Sequence, residues 1–195
     1  MHHIAVAAQD FDAMLADAVK RGIDYAGEVG SELLHPAIGG TPKGETRDRT
    51  WARAVANLCY ACDEGKKAGL TLAIEPVCSA RFPEFFIHTL DEGIQLIKDV
   101  GRDNLTLCFD TYHVQMEEGA LSANLERTWP WIGHLQLGNP PGRHEPGVGE
   151  LNLQYYFDLV DKKGWKGWIG CEYVPSTHTL DSLGWGAAYG IKKPT

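Results

Sequence analysis

Four polar residues close otherwise apolar stretches of this chain: Glu75 after "LTLAI", Asp110 after "LTLCF", Gln136 after "IGHL" and Glu172 after "GWIGC". They are spaced at 35, 26 and 36 residues (75 to 110, 110 to 136, 136 to 172). Each interval is about the length of one strand–helix repeat. If the apolar stretches are parallel strands, the four side chains share one edge of the sheet. Three carboxylates gathered there repel one another, and each resists ionising without a compensating cation. A polar group at the end of a buried strand is also costly unless it is bonded or ligated. A divalent metal answers both costs. The donors are all oxygens, from two Glu, one Asp and the amide of Gln, which suits Mg2+ or Mn2+ better than zinc with its taste for nitrogen and sulfur. The alternative for any single member is a side chain that caps the next helix or bonds to loop backbone.

The elements that must position these residues alternate between helix and strand patterns. Phe11, Met14, Leu15, Ala18 and Val19 recur at helical spacing. A second amphipathic helix is expected over about Thr46 to Ala68, closed by Gly69, with "LTLAIE" following as a strand. Thr89-Leu-Asp-Glu92 forms a capping box that opens "LDEGIQLIKDVG". "NLTLCFD" is the next strand, "EEGALSANLERTW" the next helix and "WIGHLQL" a further strand. Asn152 caps the helix "LQYYFDLVDKKG", "GWIGCEY" is the last strand, and "TLDSLGWGAAYG" a short terminal helix. Continuous apolar strands alternating with helices indicate a parallel sheet and an α/β fold. In a parallel β/α barrel the C-terminal strand edge is where reactive groups converge.

Composition sets the outer bounds. At 195 residues, with 44% hydrophobic and 23% charged residues, the chain is ordinary globular protein and one domain is expected over residues 1–195. The longest apolar runs are strand-sized, so no membrane span is expected, and the N-terminus lacks the pattern of a signal peptide. A net charge of −8 argues against a nucleic-acid partner. The basic pairs Lys20-Arg21, Lys66-Lys67 and Lys192-Lys193 are scattered rather than gathered into a patch. Five cysteines, an odd number, fit reduced thiols and a cytoplasmic setting. Cys59-Tyr-Ala-Cys62 lies inside a helical stretch, away from the helix N-terminus that would activate a thiolate, and is read as core filler.

The stretches "LAIEPV", "FDTYHVQMEEG", "IGHLQLGNPPGRHEPGVGELN" and "GWIGCEYVPSTHTLDSLGW" resemble the hydroxypyruvate isomerase family, within the xylose-isomerase-like group of metal-dependent barrels. The resemblance runs from about Phe11 to Trp185 with the motifs in the same order, and the Gly-His-Leu-Gln strand followed by Arg-x-Glu-Pro-Gly discriminates most. It implies Glu75, Asp110, Gln136 and Glu172 as a metal shell for Mg2+ or Mn2+, with Glu75 and Glu172 also serving as the proton-shuttling pair. Related sugar epimerases are expected to carry His where Gln136 stands. The implied reaction interconverts hydroxypyruvate and tartronate semialdehyde by moving a proton between adjacent carbons through an enediolate. By the same resemblance His113, three residues past Asp110, belongs to the substrate pocket; the alternative is a residue that orients a neighbour or starts a helix. Arg143 can hold the substrate's anionic end, because a guanidinium binds a carboxylate bidentately; it can also pair with Glu145 across its own loop. His134 shares a strand face with Gln136, and either lines the pocket or is a core histidine. Glu145 is placed with the pocket residues. His35, at an earlier strand end, carries little functional signal. Gly142, Gly147 and Gly149 fit turn geometry better than an anion-binding nest.

A complete barrel of this type needs about 250 residues and eight strands. Strand candidates stand near Leu33, Leu72, Leu105, Ile132 and Trp168, and against the family the missing part is the first two units and most of the third. The expectation is therefore an incomplete, N-terminally shortened barrel of about five strands. Its open edges would be covered in a homo-oligomer or by pairing with another chain. The expected partner is a small hydroxy-oxo acid, with neither nucleic acid nor membrane. The alternatives are a metal-dependent epimerase or isomerase of longer sugars and a non-catalytic shortened form.

Overall fold

The computed structural model describes residues 3–5 and 11–191, with side chains from residue 14 onward. The Lys192-Lys193 pair lies outside the described residues, as does the side chain of Phe11. Contacts group the chain into two compact units, Met1–Cys108 with Pro130–Gly133, and Phe109–Trp129 with His134–Thr195.

In the first unit, strand β1 (His3–Ala5) pairs with β2 (Leu33–Ala37), β2 with β3 (Thr71–Ile74), and β3 with β4 (Leu105–Asp110). All three pairings are parallel. Parallel neighbours need a crossover between them, and helices α1 (Phe11–Val29), α2 (Arg47–Lys67) and α3 (Leu90–Val100) supply the three crossovers. β1 adds a short strand to the five expected from the sequence. Thr46 caps α2 by accepting from the Arg49 amide, and Leu58, Ala61, Cys62 and Gly65 form its buried side. The capping box at Thr89 and Glu92 opens α3, and Gly101 in left-handed conformation closes it. Glu92 also accepts from Arg47 Nη2 at 2.6 Å, and Arg47 Nη1 donates to the Phe86 carbonyl at 2.9 Å, which ties the starts of α2 and α3 together. A Cβ on Gly93 would stand 2.8 Å from a methyl of Leu107, so glycine lets α3 lie close against β4. Phe86, Leu58, Leu72, Ile74, Leu96 and Leu107 are the fully buried centre of this unit.

The second unit begins at Phe109, with the last two residues of β4. Helix α4 (Thr111–Glu117) starts directly at the strand end, and α5 (Leu121–Thr128) follows. The sequence pattern suggested one helix from the Glu117-Glu118 pair onward. Gly119 at φ 69° and Ala120 at φ 45° interrupt it, so the helix starts only at Leu121. Strand β5 (Ile132–Leu137) pairs in parallel with β6 (Ile169–Cys171), joined by α6 (Leu153–Lys162). Asn152 caps α6 by accepting from the Tyr155 amide. The terminal segment Asp181–Tyr189 is a 3-10 helix rather than an α-helix, and its Trp185 and Tyr189 pack on Phe157 of α6.

Cys59 and Cys62 both lie within α2, and burial pushes the Cys62 thiol up to about 12, with Cys59 and Asp63 adding to the rise. The pair is packing rather than a redox centre. In the folded protein at pH 8 a disulfide reagent should leave Cys62 unmodified, as read by mapped mass spectrometry; rapid native-state labelling there would contradict this reading. Removing the cap hydroxyl with Thr89→Ala should cost about 1 kcal/mol in urea-unfolding stability.

Candidate active site

Asp110 closes β4 and is fully buried. One carboxylate oxygen, Oδ1, accepts from the Tyr112 amide at 2.7 Å and so caps α4. The other, Oδ2, accepts from Arg143 Nη2 at 2.7 Å. The capping reading of a polar strand end holds for this residue, which also faces a charged partner. Burial pushes its pKa up; the Arg143 charge and the Tyr112 amide pull against that, and the nearby Glu172 carboxylate adds to the rise.

Gln136 and Glu172 meet through the β5–β6 register. Gln136 stands opposite Gly170, and Glu172 follows directly on β6. Gln136 Nε2 donates to Glu172 Oε2 at 2.6 Å. A Cβ on Gly170 would lie 3.2 Å from Gln136 and 3.3 Å from His134 Nε2, so a bare backbone there lets both side chains stand over β6. His134 Nε2 is buried with no hydrogen-bond partner among the described residues, and burial lowers the ring's pKa, favouring neutral imidazole.

Arg143 reaches these residues from the loop between β5 and α6. That loop is fixed by backbone bonds in both directions between Asn139 and His144 and by Asn139 side-chain bonds to Leu151. Pro140–Pro141 is a cis peptide bond. Arg143 sits at φ 59°, a left-handed conformation that costs a non-glycine residue about 1–2 kcal/mol. The tertiary contacts compensate. Nη2 lies 2.7 Å from Asp110 Oδ2 and 3.2 Å from Glu172 Oε2, Nε donates to the Glu172 carbonyl at 3.0 Å, and the guanidinium stands 5.1 Å from the Tyr112 ring centre. The residue is only 8% exposed.

Glu145, next in the same loop, is bound at both oxygens by Ser176, from the amide at 2.9 Å and the hydroxyl at 2.6 Å. With the Val174 amide donating to the Arg143 carbonyl and His144 Nδ1 bonded to the Val174 carbonyl, these bonds join the two loops that follow β5 and β6. Burial alone would raise the Glu145 pKa. The Ser176 hydroxyl and amide outweigh it and hold the carboxyl below its ordinary 4.5.

The second unit therefore brings together Asp110, Gln136, Arg143 and Glu172. His113, buried in the first turn of α4, has a ring nitrogen within 4.8 Å of an Asp110 oxygen. Glu75 belongs to the first unit, buried just past β3, where His35 Nε2 lies 3.8 Å from its Oε2. Tyr112 and Ser176 are residues that the sequence did not mark, and His35 carried only a weak signal there. His35 lacks a motif of its own, and Ser176 lies in "YVPSTH" with no spacing that marks it. In chemistry, Asp110 and Glu172 meet at one cationic nitrogen and Gln136 is bonded to Glu172, a set of side chains with oxygen atoms that fits a hard divalent cation.

A family model described as a xylose isomerase-like TIM barrel matches residues 5–189. The 2-oxo-tetronate isomerase of Cupriavidus necator is 39% identical over 174 residues, which is 89% of this chain and 67% of that protein. The hydroxypyruvate isomerase of Escherichia coli is 37% identical over 169 residues, 87% of this chain and 66% of that protein. The chain spans about two thirds of the length of these curated relatives. The crystal structure of an AP endonuclease, family 2, from Brucella melitensis superposes with a TM-score of 0.89 at 33% identity, covering 94% of this chain and 71% of that one. The 3-keto-D-glucoside 4-epimerase of Escherichia coli shares the fold at a TM-score of 0.79 with 18% identity, over 96% of this chain and 76% of that one.

The Glu145–Ser176 bonds carry a pH signature. A carboxyl with a depressed folded pKa stabilises the fold above its unfolded pKa and loses that contribution as pH falls through the folded value. Ser176→Ala should lower the melting temperature at neutral pH, and the gap from wild type should narrow well below 4.5, the ordinary value for Glu145. A gap that stays constant across the range would show that the hydroxyl acts through something other than the ionised carboxylate.

Proposed function

Because the chain belongs to the xylose isomerase-like TIM barrel family, we propose that it is a metal-assisted isomerase of a short hydroxy-oxo acid. Hydroxypyruvate, interconverted with tartronate semialdehyde (2-hydroxy-3-oxopropanoate), is the preferred substrate. The 2-oxo-tetronate isomerase name of one relative keeps the acid one carbon longer in the same class. The observation that carries the reading is the buried Arg143 guanidinium among Asp110, Gln136 and Glu172. A cation among oxygen donors at the strand ends suits a substrate that combines a carboxylate with neighbouring carbonyl and hydroxyl oxygens. Gln136, where the related sugar epimerases are expected to carry His, favours the acid over longer sugars. The net charge of −8 offers no counter-charge for a nucleic-acid backbone.

In this reading Glu75, Asp110, Gln136 and Glu172 hold Mg2+ or Mn2+. When bound, the ion supplies Lewis-acid stabilisation of charge developing on the carbonyl and hydroxyl oxygens. Glu75 and Glu172 act as the proton-transfer pair, one removing a proton from carbon and the other returning one to the neighbouring carbon. Glu172, with its side chain 38% exposed, is the more accessible of the two carboxylates beside Arg143, whereas Asp110 is closed off by Tyr112 and Arg143. Arg143 holds the substrate carboxylate, His113 and His134 line the pocket, and Glu145 fixes the loop that carries Arg143. The five free thiols suit a reducing compartment such as the cytoplasm.

The test is interconversion of hydroxypyruvate and tartronate semialdehyde, and of 2-oxo-tetronate with its isomer, with and without Mg2+ or Mn2+. Glu75→Gln and Glu172→Gln should each lower kcat by about 10²–10⁴-fold, the usual worth of a positioned acid or base. Folded, metal-saturated protein that turns over neither acid would overturn the proposal.

A further inference from the structure

We propose that Arg143 and the divalent cation exclude each other from Asp110 and Glu172, so that metal loading releases the guanidinium to the substrate's carboxylate; the inference rests on the isomerase reading above. A single nitrogen, Arg143 Nη2, lies 2.7 Å from Asp110 Oδ2 and 3.2 Å from Glu172 Oε2. An Mg2+ ion ligated by those same two oxygens stands about 2.0–2.1 Å from each, in the space that the nitrogen fills. Glu172 Oε2 also takes the Gln136 amide at 2.6 Å, so it already accepts two donors. For Gln136 to offer oxygen to the same cation, its amide must turn away from this bond.

Withdrawing Nη2 moves the whole planar guanidinium, because its C–N bonds share double-bond character. The Nε bond to the Glu172 carbonyl and the stacking near Tyr112 belong to that same group. The Asn139–His144 bridge and the Val174 bond to its carbonyl hold the backbone. Metal loading therefore breaks the Nε bond together with the Nη2 contacts, while the backbone stays in place. Once moved off the carboxylates, a guanidinium this buried is costly without an anion. The substrate carboxylate supplies one. Metal and substrate then bind in that order, and the metal-free protein holds substrate weakly because Arg143 is already engaged.

The experiment is calorimetric titration of the full chain with Mn2+, for wild type and Arg143→Met. Removing the competing cation should tighten Mn2+ binding by about tenfold or more, whereas equal or weaker binding overturns the inference. As Arg143→Met leaves buried carboxylates without their partner, its fold is checked by circular dichroism. A second measurement needs only the wild type: modification of Arg143 by phenylglyoxal, mapped by mass spectrometry. Labelling should rise with saturating Mg2+ and fall again when hydroxypyruvate is added, and labelling that Mg2+ leaves unchanged overturns the proposal. Wild type that binds no Mn2+ removes the metal reading and this inference together. Mn2+ binding that Arg143→Met fails to tighten removes the inference alone.

Discussion

The second unit is organised around one buried guanidinium. Asp110 is withdrawn from water and would be driven to protonate, and Glu172 adds a second negative charge beside it. Arg143 bridges the two carboxylates and makes an arrangement of like charges tolerable. Carboxylates gathered at strand ends are useful chemistry and poor thermodynamics, because burial and mutual repulsion both favour the neutral acid. A cation at their centre opposes that preference, whether it belongs to the protein or is bound from solution.

Much of the surrounding structure exists to hold that cation. Arg143 adopts a left-handed backbone that only closely over-determined loops maintain. The over-determination is visible in the Asn139–His144 bridge, the Asn139 bonds to Leu151, and the clasp of Glu145 by Ser176. Glu145 looked from its position like a residue of the pocket. Its carboxylate instead bonds the loop after β6, so its part in any chemistry runs through the placement of Arg143 and Glu172. The loop pairing also links the two strand ends that carry Gln136 and Glu172, so one set of bonds fixes three polar side chains.

Repetition made the repeat pattern readable. Apolar runs of strand length, Gly-terminated helices and the Thr89–Glu92 box depend on neighbours within a few residues, and β2 to β6 lie where those signals put them. The breaks were less readable. Gly119 and Ala120 end one helix and delay the next by their backbone angles, which composition alone does not announce. The terminal segment has helical spacing but folds as a 3-10 turn, with Trp185 and Tyr189 packed on Phe157. Packing of those rings, rather than helix propensity, sets its form.

The sequence by itself determined which residues stand at strand ends, because side-chain alternation and repeat length are local properties: Glu75, Asp110, Gln136 and Glu172 were legible there. It also determined the family, through motifs kept in order along the chain. Tertiary structure alone decided who pairs with whom. Arg143 turned to Asp110 and Glu172, Ser176 took Glu145, and Gln136 gave its amide hydrogen to Glu172. Each of these contacts joins residues far apart in sequence, across a distance fixed by strand register and loop conformation. No local pattern encodes that distance, since it arises only when parallel strands align and their loops close over the same edge.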